Sequence, residues 1–421
     1  MAVADLSVPW RWKLSPRWRE NIGFAGLFAV LAAFTLSTLD GGDVAPRIIS
    51  VALLLFAAAY LPFCSSKRFA VPIPSACLLL MACYGVVQTL WFPRKIVYEG
   101  WSSVLFWFTA AVISLLAAEL FRDRQLAARF RLVFVVFGSA VCVLGLLEQA
   151  SHSSKYFWLI QSRYSTVSAT FAYWNNFAQF IELFLPITLW LALKGSKPAT
   201  AFLLLSGLEI GAVVAAGSRA GSALVIVELL AVLLLTYLRN RNRAFLYAAA
   251  SALAVSVLFV IAAGSETLTY KLQQKDQLAA RQGINEASLD MIRQHPLAGW
   301  GLGTYVPVYR MFARYDDGTY VNRAHNDWLQ WTAEGGIFFS ALMLAVFVWS
   351  IRPAIRSVWG IGVIAVCLHA LVDYPFARFG VCGWYFALIG MLAMTASDER
   401  SRRRRPKLES DERSTRLRGV T

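Results

Sequence analysis

A dense group of polar residues stands where a long polar segment ends and an apolar stretch begins. The segment 320–336 reads YVNRAHNDWLQWTAEGG and holds, with only Ala324 interposed, Arg323, His325, Asn326 and Asp327. A neutral imidazole accepts a proton from a hydroxyl group near neutral pH, so His325 is the strongest candidate for a general base. Asp327 or Glu334 could orient its ring. The alternative is an interfacial histidine bonded to the backbone.

An arginine also lies between two apolar stretches that are joined by almost no loop. Residues 217–221 read GSRAG, with Arg219 at the centre and small residues around it. A guanidinium that faces lipid is unfavourable, so Arg219 must face water or a partner. Its planar fork suits a phosphate, and its small neighbours would let a bulky ligand approach. The alternative is an arginine that reaches the membrane interface.

Further polar residues could complete a site for a polyanionic headgroup such as a pyrophosphate. Arg163 and Arg281 are in loops, where a solvated charge is the alternative for either one alone. Asn175 and Asn176 begin an apolar stretch, where they could hydrogen-bond the ligand or cap a helix. The predicted catalytic residues are His325, Arg219 and Arg281. The predicted substrate-binding residues are Arg163, Asn175, Asn176, Ser218, Arg323, Asn326 and Asp327.

Other patterns in the sequence are weaker evidence for a functional site. His369 and Asp373 are four residues apart in an apolar stretch, so they would share a helix face as a structural pair or, alternatively, a proton relay. The glycines of 299–303 do not follow a soluble strand, so they are not a dinucleotide-binding loop. No HExxH motif or Cys/His cluster is present, and we expect neither a metal nor a cofactor.

The composition predicts an all-α polytopic membrane protein. The chain of 421 residues is 58% hydrophobic and only 15% charged, whereas soluble domains are less apolar and more charged. The net charge of +15 comes from short Lys/Arg clusters between apolar spans. Such clusters orient membrane helices, so the charge does not indicate nucleic-acid binding.

About twelve apolar spans are long enough to cross a membrane, which takes about 20 helical residues. They lie at roughly 21–38, 47–64, 73–92, 102–120, 130–149, 174–193, 200–216, 221–238, 244–263, 327–349, 358–372 and 381–396. Twelve spans place both termini on the same side. Most of the Lys and Arg residues fall on the side of the termini, which predicts that both are cytoplasmic.

This topology divides the chain into five parts. They are an interfacial N-terminus at 1–20, helices 1–9 at 21–263 with an outside segment at 150–173, a long outside loop at 264–326, three further helices at 327–396, and a basic cytoplasmic tail at 397–421. Within the long loop, 285–294 has the pattern of a short amphipathic helix, which His295–Pro296 would end. The polar group around His325 therefore lies where the outside loop re-enters the membrane.

Four stretches together resemble the O-antigen ligase and polymerase superfamily of bacterial inner-membrane proteins. They are ATFAYWNNFAQFIELFLPI at 169–187, GSRAG at 217–221, SLDMIRQHPLAGWGLGTY at 288–305 and AHNDWLQWTAEGG at 324–336. Two positions depart from the family pattern, because Ala169 replaces the usual glycine and Trp174 stands where a proline is common. The resemblance covers about 160–340, and the first five spans match in hydropathy only.

The resemblance implies a C-type membrane glycosyltransferase fold. It implies an undecaprenyl-pyrophosphate-linked glycan as donor and transfer on the periplasmic face of the inner membrane, without a metal or a nucleotide sugar. Carried over by position, Arg219 and Arg281 would bind the pyrophosphate and His325 would activate the acceptor hydroxyl.

Three functions remain open at this point. The first is a ligase that transfers the glycan to a hydroxyl of lipid A–core, with membrane lipids around it and no nucleic-acid partner. The second is a polymerase or a protein O-oligosaccharyltransferase of the same superfamily. The third, from another class, is a membrane transporter or flippase. Transporters often show inverted repeats and broken helices in both halves, and we find neither pattern in the sequence.

Overall fold

The computed structural model describes most of the chain as a bundle of α-helices. The described residues are 15–40, 44–64, 71–91, 97–152, 155–161, 168–194, 198–240, 243–264, 266–273, 276–313 and 320–396. The helices are α1 (Pro16–Leu36), α2 (Val44–Cys64), α3 (Ile73–Trp91), α4 (Val97–Leu120), α5 (Arg124–Ala150), α6 (Trp174–Leu193), α7 (Ala199–Ala216), α8 (Arg219–Arg239), α9 (Arg243–Ala263), α10 (Glu266–Gln273), α11 (Asp276–Gln294), α12 (Tyr305–Phe312), α13 (Asp327–Ser357), α14 (Ile361–His369) and α15 (Phe379–Ala396).

Eleven of these helices, counted over the described residues, are long and apolar enough to cross a membrane. The predicted all-α polytopic fold is therefore confirmed. Helices are the expected solution, because every backbone polar group must find an internal partner in hydrocarbon. The sequence predicted a span at 358–372, but the structure has there the 9-residue helix α14, which is too short to be one of the eleven.

Helix α14 nevertheless reverses the direction of the chain. A Cβ atom on Gly360, just before α14, would contact Ala354 near the end of α13 and Leu392 near the end of α15. Helix α14 then runs back along α6 and ends at His369. A short 3₁₀-helix at Pro375–Ala377 follows, and it leads into α15. Pro375 has no backbone N–H, so an α-helix could not continue through this segment without losing a hydrogen bond.

Helices α6 and α15 form the centre of the bundle. In each of them 83% of the most apolar stretch is buried, against 17% in α9. The indole of Trp384 in α15 stacks on Phe134 at 4.1 Å between ring centroids. The peripheral helices expose aliphatic side chains such as Leu55 and Ile261, which are suited to hydrocarbon.

The polar segments carry short elements of their own. The predicted helix at 285–294 is confirmed as the second half of α11, which begins earlier, at Asp276. Helix α12 packs on α11, where Ser288 and the hydroxyl of Tyr305 share a hydrogen bond of 2.8 Å. In the segment after α5, β1 (Lys155–Tyr156) and β2 (Ile160–Gln161) form a small antiparallel hairpin.

The turn after α11 is joined to α13 through the backbone. Gly336 has φ 71° and ψ −176°, which interrupts α13. At this point the Trp300 amide donates to the Ala333 carbonyl at 2.8 Å and the Gly301 amide to the Glu334 carbonyl at 2.7 Å. A Cβ on Gly336 would collide with the carbonyl of Leu297. The glycines thus permit a backbone approach that side chains would prevent.

Replacing Gly336 by alanine is expected to destabilise the protein more than a matched glycine substitution. The backbone conformation alone costs about 1–3 kcal/mol for a residue with a side chain, and the collision with the 296–298 turn adds to it. Gly264→Ala is the control for strain, because Gly264 has φ 77° with no atom within 4 Å of an added Cβ. Gly283→Ala is the control for the substitution itself, because that Cβ meets open space without a positive φ.

The measurement is the thermal unfolding midpoint of each variant in the same detergent. The midpoint is expected to fall most for Gly336→Ala, less for Gly264→Ala and not at all for Gly283→Ala. Equal midpoints for Gly336→Ala and Gly264→Ala would show that the close approach of the two backbones contributes nothing to stability.

Candidate functional site

His325 lies at the point where the polar segment enters α13. Its backbone is left-handed, with φ 51°, an unfavourable conformation for a residue with a side chain. The chain is fixed immediately after it, because the Asp327 amide donates to the carbonyl of Ala370 at 2.9 Å and is 3.2 Å from that of Asp373. The side chain remains 25% exposed. The histidine is therefore held in one orientation and is still accessible to a ligand.

The partner of His325 is Asp373. The Nδ1 atom of His325 is 3.3 Å from Oδ1 of Asp373, whose side chain is only 1% exposed. An ionised carboxylate only accepts, so this contact assigns the proton to Nδ1 and leaves the lone pair on Nε2. Asn175 donates to the second carboxylate oxygen and to the hydroxyl of Tyr173. A histidine with a free Nε2 lone pair and a carboxylate behind it can act as a general base.

The prediction that Asp327 or Glu334 orients His325 is wrong in this structure. The Asp327 carboxylate accepts from the backbone amide of Phe376 at 2.9 Å. The Glu334 carboxylate accepts from the amide of Tyr305 at 2.9 Å. Both carboxylates hold backbone segments in place, and neither is hydrogen-bonded to the imidazole.

Three cations surround a small pocket next to Asp373. The pocket has a volume of about 30 Å³, and among the side chains that line it are Asn175, Arg219, Lys271, Arg281 and Asp373. Arg281 donates to the Val372 carbonyl at 2.8 Å, and its second nitrogen is 3.5 Å from the hydroxyl of Tyr173. The concentration of positive charge next to the His325–Asp373 pair suits an anionic group of a substrate.

The reversal between α7 and α8 places Arg219 at this pocket. Gly217 ends α7 in a left-handed conformation, with φ 72°, as is common at helix C-termini. Ser218 caps α8, because its hydroxyl accepts from the amide of Gly221 at 3.1 Å. Arg219 is then the first residue of α8. The partial positive charge of the helix N-terminus adds to that of the guanidinium.

Lys271 is the third cation of the pocket. It is 8% exposed, its Nζ donates to the Ala216 carbonyl at 3.2 Å, and it lies 3.6 Å from the ring centroid of Trp174. Burial and the charge of Arg219 lower the pKa of Lys271 to about 8. The ammonium group is therefore partly neutral in mildly alkaline solution. A bound anion would favour its charged form.

Tyr173 connects the cations to the histidine. Its ring lies parallel to that of Tyr374 at 5.4 Å, and the ring of Tyr374 meets His325 edge to face at 4.9 Å. Burial, followed by the nearby charge of Asp373, raises the pKa of the Tyr173 hydroxyl well above its usual value. This hydroxyl is neutral, so it can serve as a hydrogen-bond donor beside Arg281.

The structure separates the residues that the sequence predicted into three groups. His325, Arg219, Arg281 and Asn175 come together around Asp373. Ser218 and Asn326 cap helices, and Asn176 is buried and bonded to Gln179 at 2.8 Å. Arg323 and Asp327 line a different, larger cavity. Arg163 lies outside the described residues, so its predicted place in the site stays a prediction.

The predicted pairing of His369 with Asp373 on one helix face is wrong. Helix α14 ends at His369, so Asp373 lies beyond the helix. The Nδ1 atom of His369 is 2.7 Å from Oε1 of Glu182, and both side chains are fully buried. Asp373 is thereby available to His325.

Three contributors to the site were missed in the sequence. Asp373 was noted only as a partner of His369, and its true partner is 48 positions away. Tyr173 was quoted within a family-like stretch without a role, and Lys271 lies in α10, whose pattern gave no signal. Only the neighbouring Asn175 pointed toward Tyr173. None of the three could be assigned by spacing.

The larger cavity has a volume of about 680 Å³. It lies between the starts of α2, α4 and α15 and the elements α12 and α13, and its polar lining includes four arginines. His325 does not line it, although the segment that carries His325 does. The left-handed turn at His325 directs this residue to one side, whereas Arg323 and Asp327 face the cavity.

Fold and site together define an all-α, multi-pass membrane protein with a histidine–carboxylate pair and a cationic pocket near one end of its bundle. Residues 200–344 match the family model described as O-antigen ligase. Over these residues the chain resembles the O-antigen ligase family, and the predicted resemblance to this superfamily is confirmed. The match includes Arg219, Lys271, Arg281 and His325. No curated protein and no solved structure matches the chain.

Proposed function

We propose that this protein transfers a glycan from undecaprenyl pyrophosphate to a hydroxyl of lipid A–core on the periplasmic face of the inner membrane. The observation that carries the proposal is the position of the His325–Asp373 pair beside a pocket that Arg219, Lys271 and Arg281 line. Reactions that displace a pyrophosphate need a base for the acceptor and positive charge for the leaving group.

In the proposed reaction the acceptor hydroxyl gives its proton to Nε2 of His325. Its oxygen forms a bond to the anomeric carbon of the donor, and the bond from that carbon to the pyrophosphate oxygen breaks. The leaving oxygen keeps the electron pair, and the charge that develops on it lies beside the cations of the pocket. Asp373 stabilises the imidazolium that forms, and the proton then passes to water.

The proposed topology has both termini in the cytoplasm. The bias of Lys and Arg toward the side of the termini supports it, and so does the reversal of the chain at α14, which restores an even number of passes. The polyprenyl tail of the donor would lie in hydrocarbon against the bundle. The pyrophosphate would enter the small pocket from the same end, which requires the pocket to widen from its volume of about 30 Å³.

The proposal is tested by a reconstituted assay with a lipid-linked glycan as donor. Purified protein in liposomes is given lipid A–core, no added acceptor, or an acceptor peptide with Ser and Thr. With a labelled glycan on the donor, we expect the label to appear on lipid A–core. Lengthening of the donor alone would indicate a polymerase, label on the peptide a protein transferase, and movement of the donor across the bilayer without transfer a flippase. Each of the last three results would overturn the ligase proposal.

The affinity for the pyrophosphate donor is expected to decline as the pH rises through about 8. The pKa of Lys271 is lowered to about 8, so below this pH the side chain is charged and attracts the anion, and above it the charge is lost. Lys271→Arg keeps the charge and should flatten the decline. Lys271→Met should bind weakly at pH 7 and also show little change with pH.

The measurement is the Kd of the undecaprenyl pyrophosphate donor between pH 6 and pH 10 for the three proteins. Ionisation of the donor affects all three proteins equally, so the difference between their curves reports the charge of the side chain at position 271. The same slope in Lys271→Arg and in the wild type would exclude a role for Lys271 in donor binding.

A further inference from the structure

The cavity of about 680 Å³ is separate from the pocket that Arg219, Lys271 and Arg281 line. Its volume is within the range of about 300–1,000 Å³ that is typical of ligand pockets. The two share no lining residue. The proposed reaction uses the small pocket and His325, and leaves this cavity without a role.

Four arginines line the cavity, and two of them lie against tyrosine rings. The guanidinium of Arg47 lies 4.6 Å from the ring centroid of Tyr98, and that of Arg310 lies 5.3 Å from the ring centroid of Tyr320. Both tyrosines are largely exposed. Arg378, at the start of α15, also lines the cavity. Guanidinium groups that are held on aromatic rings are oriented in advance to bind phosphate or carboxylate groups in a bidentate manner.

The floor of the cavity has a different chemistry. Asp327, Gln330 and Glu334 line it, and all three are buried. Arg323 also lines the cavity and lies close to Asp327 and Glu334. The rings of Trp331 and Phe379 lie beside these groups. Carboxylate and amide oxygens accept hydrogen bonds from hydroxyl groups.

We propose that this cavity binds a saccharide that carries anionic groups, with the sugar hydroxyls on the floor and the anionic groups at Arg47, Arg310 and Arg378. The inference builds on the proposed function, in which both substrates are glycans. The segment that carries His325 also supplies Tyr320, Asn322, Arg323 and Asp327 to the lining of the cavity, so a saccharide bound here lies near the reacting centre. It belongs either to the acceptor or to the glycan portion of the donor, and both have the required chemistry.

The first experiment measures binding without any reaction. Purified full-length protein in nanodiscs is titrated with a disaccharide that carries one phosphate monoester, and with its dephosphorylated form. The phosphorylated probe is expected to bind at least tenfold more tightly. The double variant Arg310→Gln/Arg378→Gln should lose roughly tenfold to hundredfold in affinity for it, as removal of charged hydrogen bonds predicts.

Arg293→Gln is the matched control, because Arg293 is an exposed arginine of α11 that pairs with Asp290 and does not line the cavity. It should bind the probe as the wild type does. The unfolding midpoints of the variants must agree with that of the wild type. If the first double variant is unstable, Arg310→Lys/Arg378→Lys takes its place. Equal affinity for the two probes, or equal affinity of the wild type and the double variant, would overturn the inference.

The second experiment identifies the source of the saccharide in the transfer assay. A higher KM for lipid A–core in the double variant, with an unchanged KM for the donor, assigns the cavity to the acceptor. A higher KM for the donor that grows with the length of its glycan assigns it to the donor. Unchanged KM values for both substrates would overturn the inference while the proposed transfer stands. Probe binding without transfer to any acceptor would leave the inference intact and refute the proposed function.

Discussion

Glycan transfer by His325→Ala is expected to fall by roughly 10²–10⁴-fold, which is the usual contribution of a general base. The donor should still bind, because the cations that we propose face the pyrophosphate belong to α8, α10 and α11. Alanine has a Cβ atom as histidine does, so it neither relieves nor adds to the strain of the left-handed backbone at this position, with φ 51°. The local conformation is therefore not expected to change. The loss should therefore appear in kcat and not in the Kd of the donor.

Asp373→Asn tests how much the carboxylate of Asp373 contributes to the orientation of the His325 imidazole and to its uptake of a proton. An amide at this position cannot stabilise an imidazolium as a carboxylate does, and its NH₂ group can donate to Nδ1 and favour the unreactive tautomer. We expect a loss smaller than or equal to that of His325→Ala, and no further loss in the double variant, because the two side chains act as a unit.

His152→Ala is the matched control, since His152 is an exposed loop histidine that also has a left-handed backbone, with φ 48°. It should transfer glycan as the wild type does. Full activity of His325→Ala at the wild-type expression level and unfolding midpoint would remove His325 as the base. The segment before α13 would then be a structural boundary only.

The second large effect is expected for Arg281→Ala. Loss of a positioned hydrogen-bond donor to a developing negative charge typically costs roughly 10²–10³-fold in rate. The lipid-linked glycan should also bind more weakly. Arg281→Lys keeps the charge but loses the planar fork that contacts Val372 and Tyr173, so we expect only partial recovery. Arg293→Ala, at an exposed position of the same helix, should have no effect.

Inhibition by inorganic pyrophosphate distinguishes binding from a purely structural role of Arg281. The wild type is expected to be inhibited, and Arg281→Ala to require at least tenfold more pyrophosphate for the same inhibition of its residual activity. If Arg281→Ala were inhibited at the same concentration as the wild type, its defect would lie in positioning Asp373 through the neighbouring Val372 carbonyl. Arg219→Ala gives the independent comparison from the other side of the pocket.

The membrane fold was predictable because hydrocarbon permits few solutions for an apolar chain. Length and hydropathy located eleven spans, but α14 was misjudged. Its apolar character comes from burial against α6, where Gly362 contacts the backbone of Glu182. Hydropathy does not distinguish an apolar residue that faces protein from one that faces lipid.

The site was only half predictable, because spacing reports neighbours along a helix and not neighbours across a bundle. His325 and Arg219 stood out as polar residues beside apolar spans, and Arg281 was a loop arginine that the family resemblance singled out. Asp373 reaches His325 because α14 ends early, which no local pattern indicated. The left-handed turn at His325 also separates it from Arg323 and Asp327, although each of these is only two positions away in sequence.

The pairing of the turn after α11 with α13 has an evolutionary consequence. The contacts run from main chain to main chain, between Trp300 and Ala333 and between Gly301 and Glu334, so they do not depend on which side chains occupy the turn. Mutation can therefore vary the turn while Gly299 and Gly336 keep the two backbones in register. Substrate preference can diverge among descendants of such a chain without rebuilding the junction that joins Arg281 to His325.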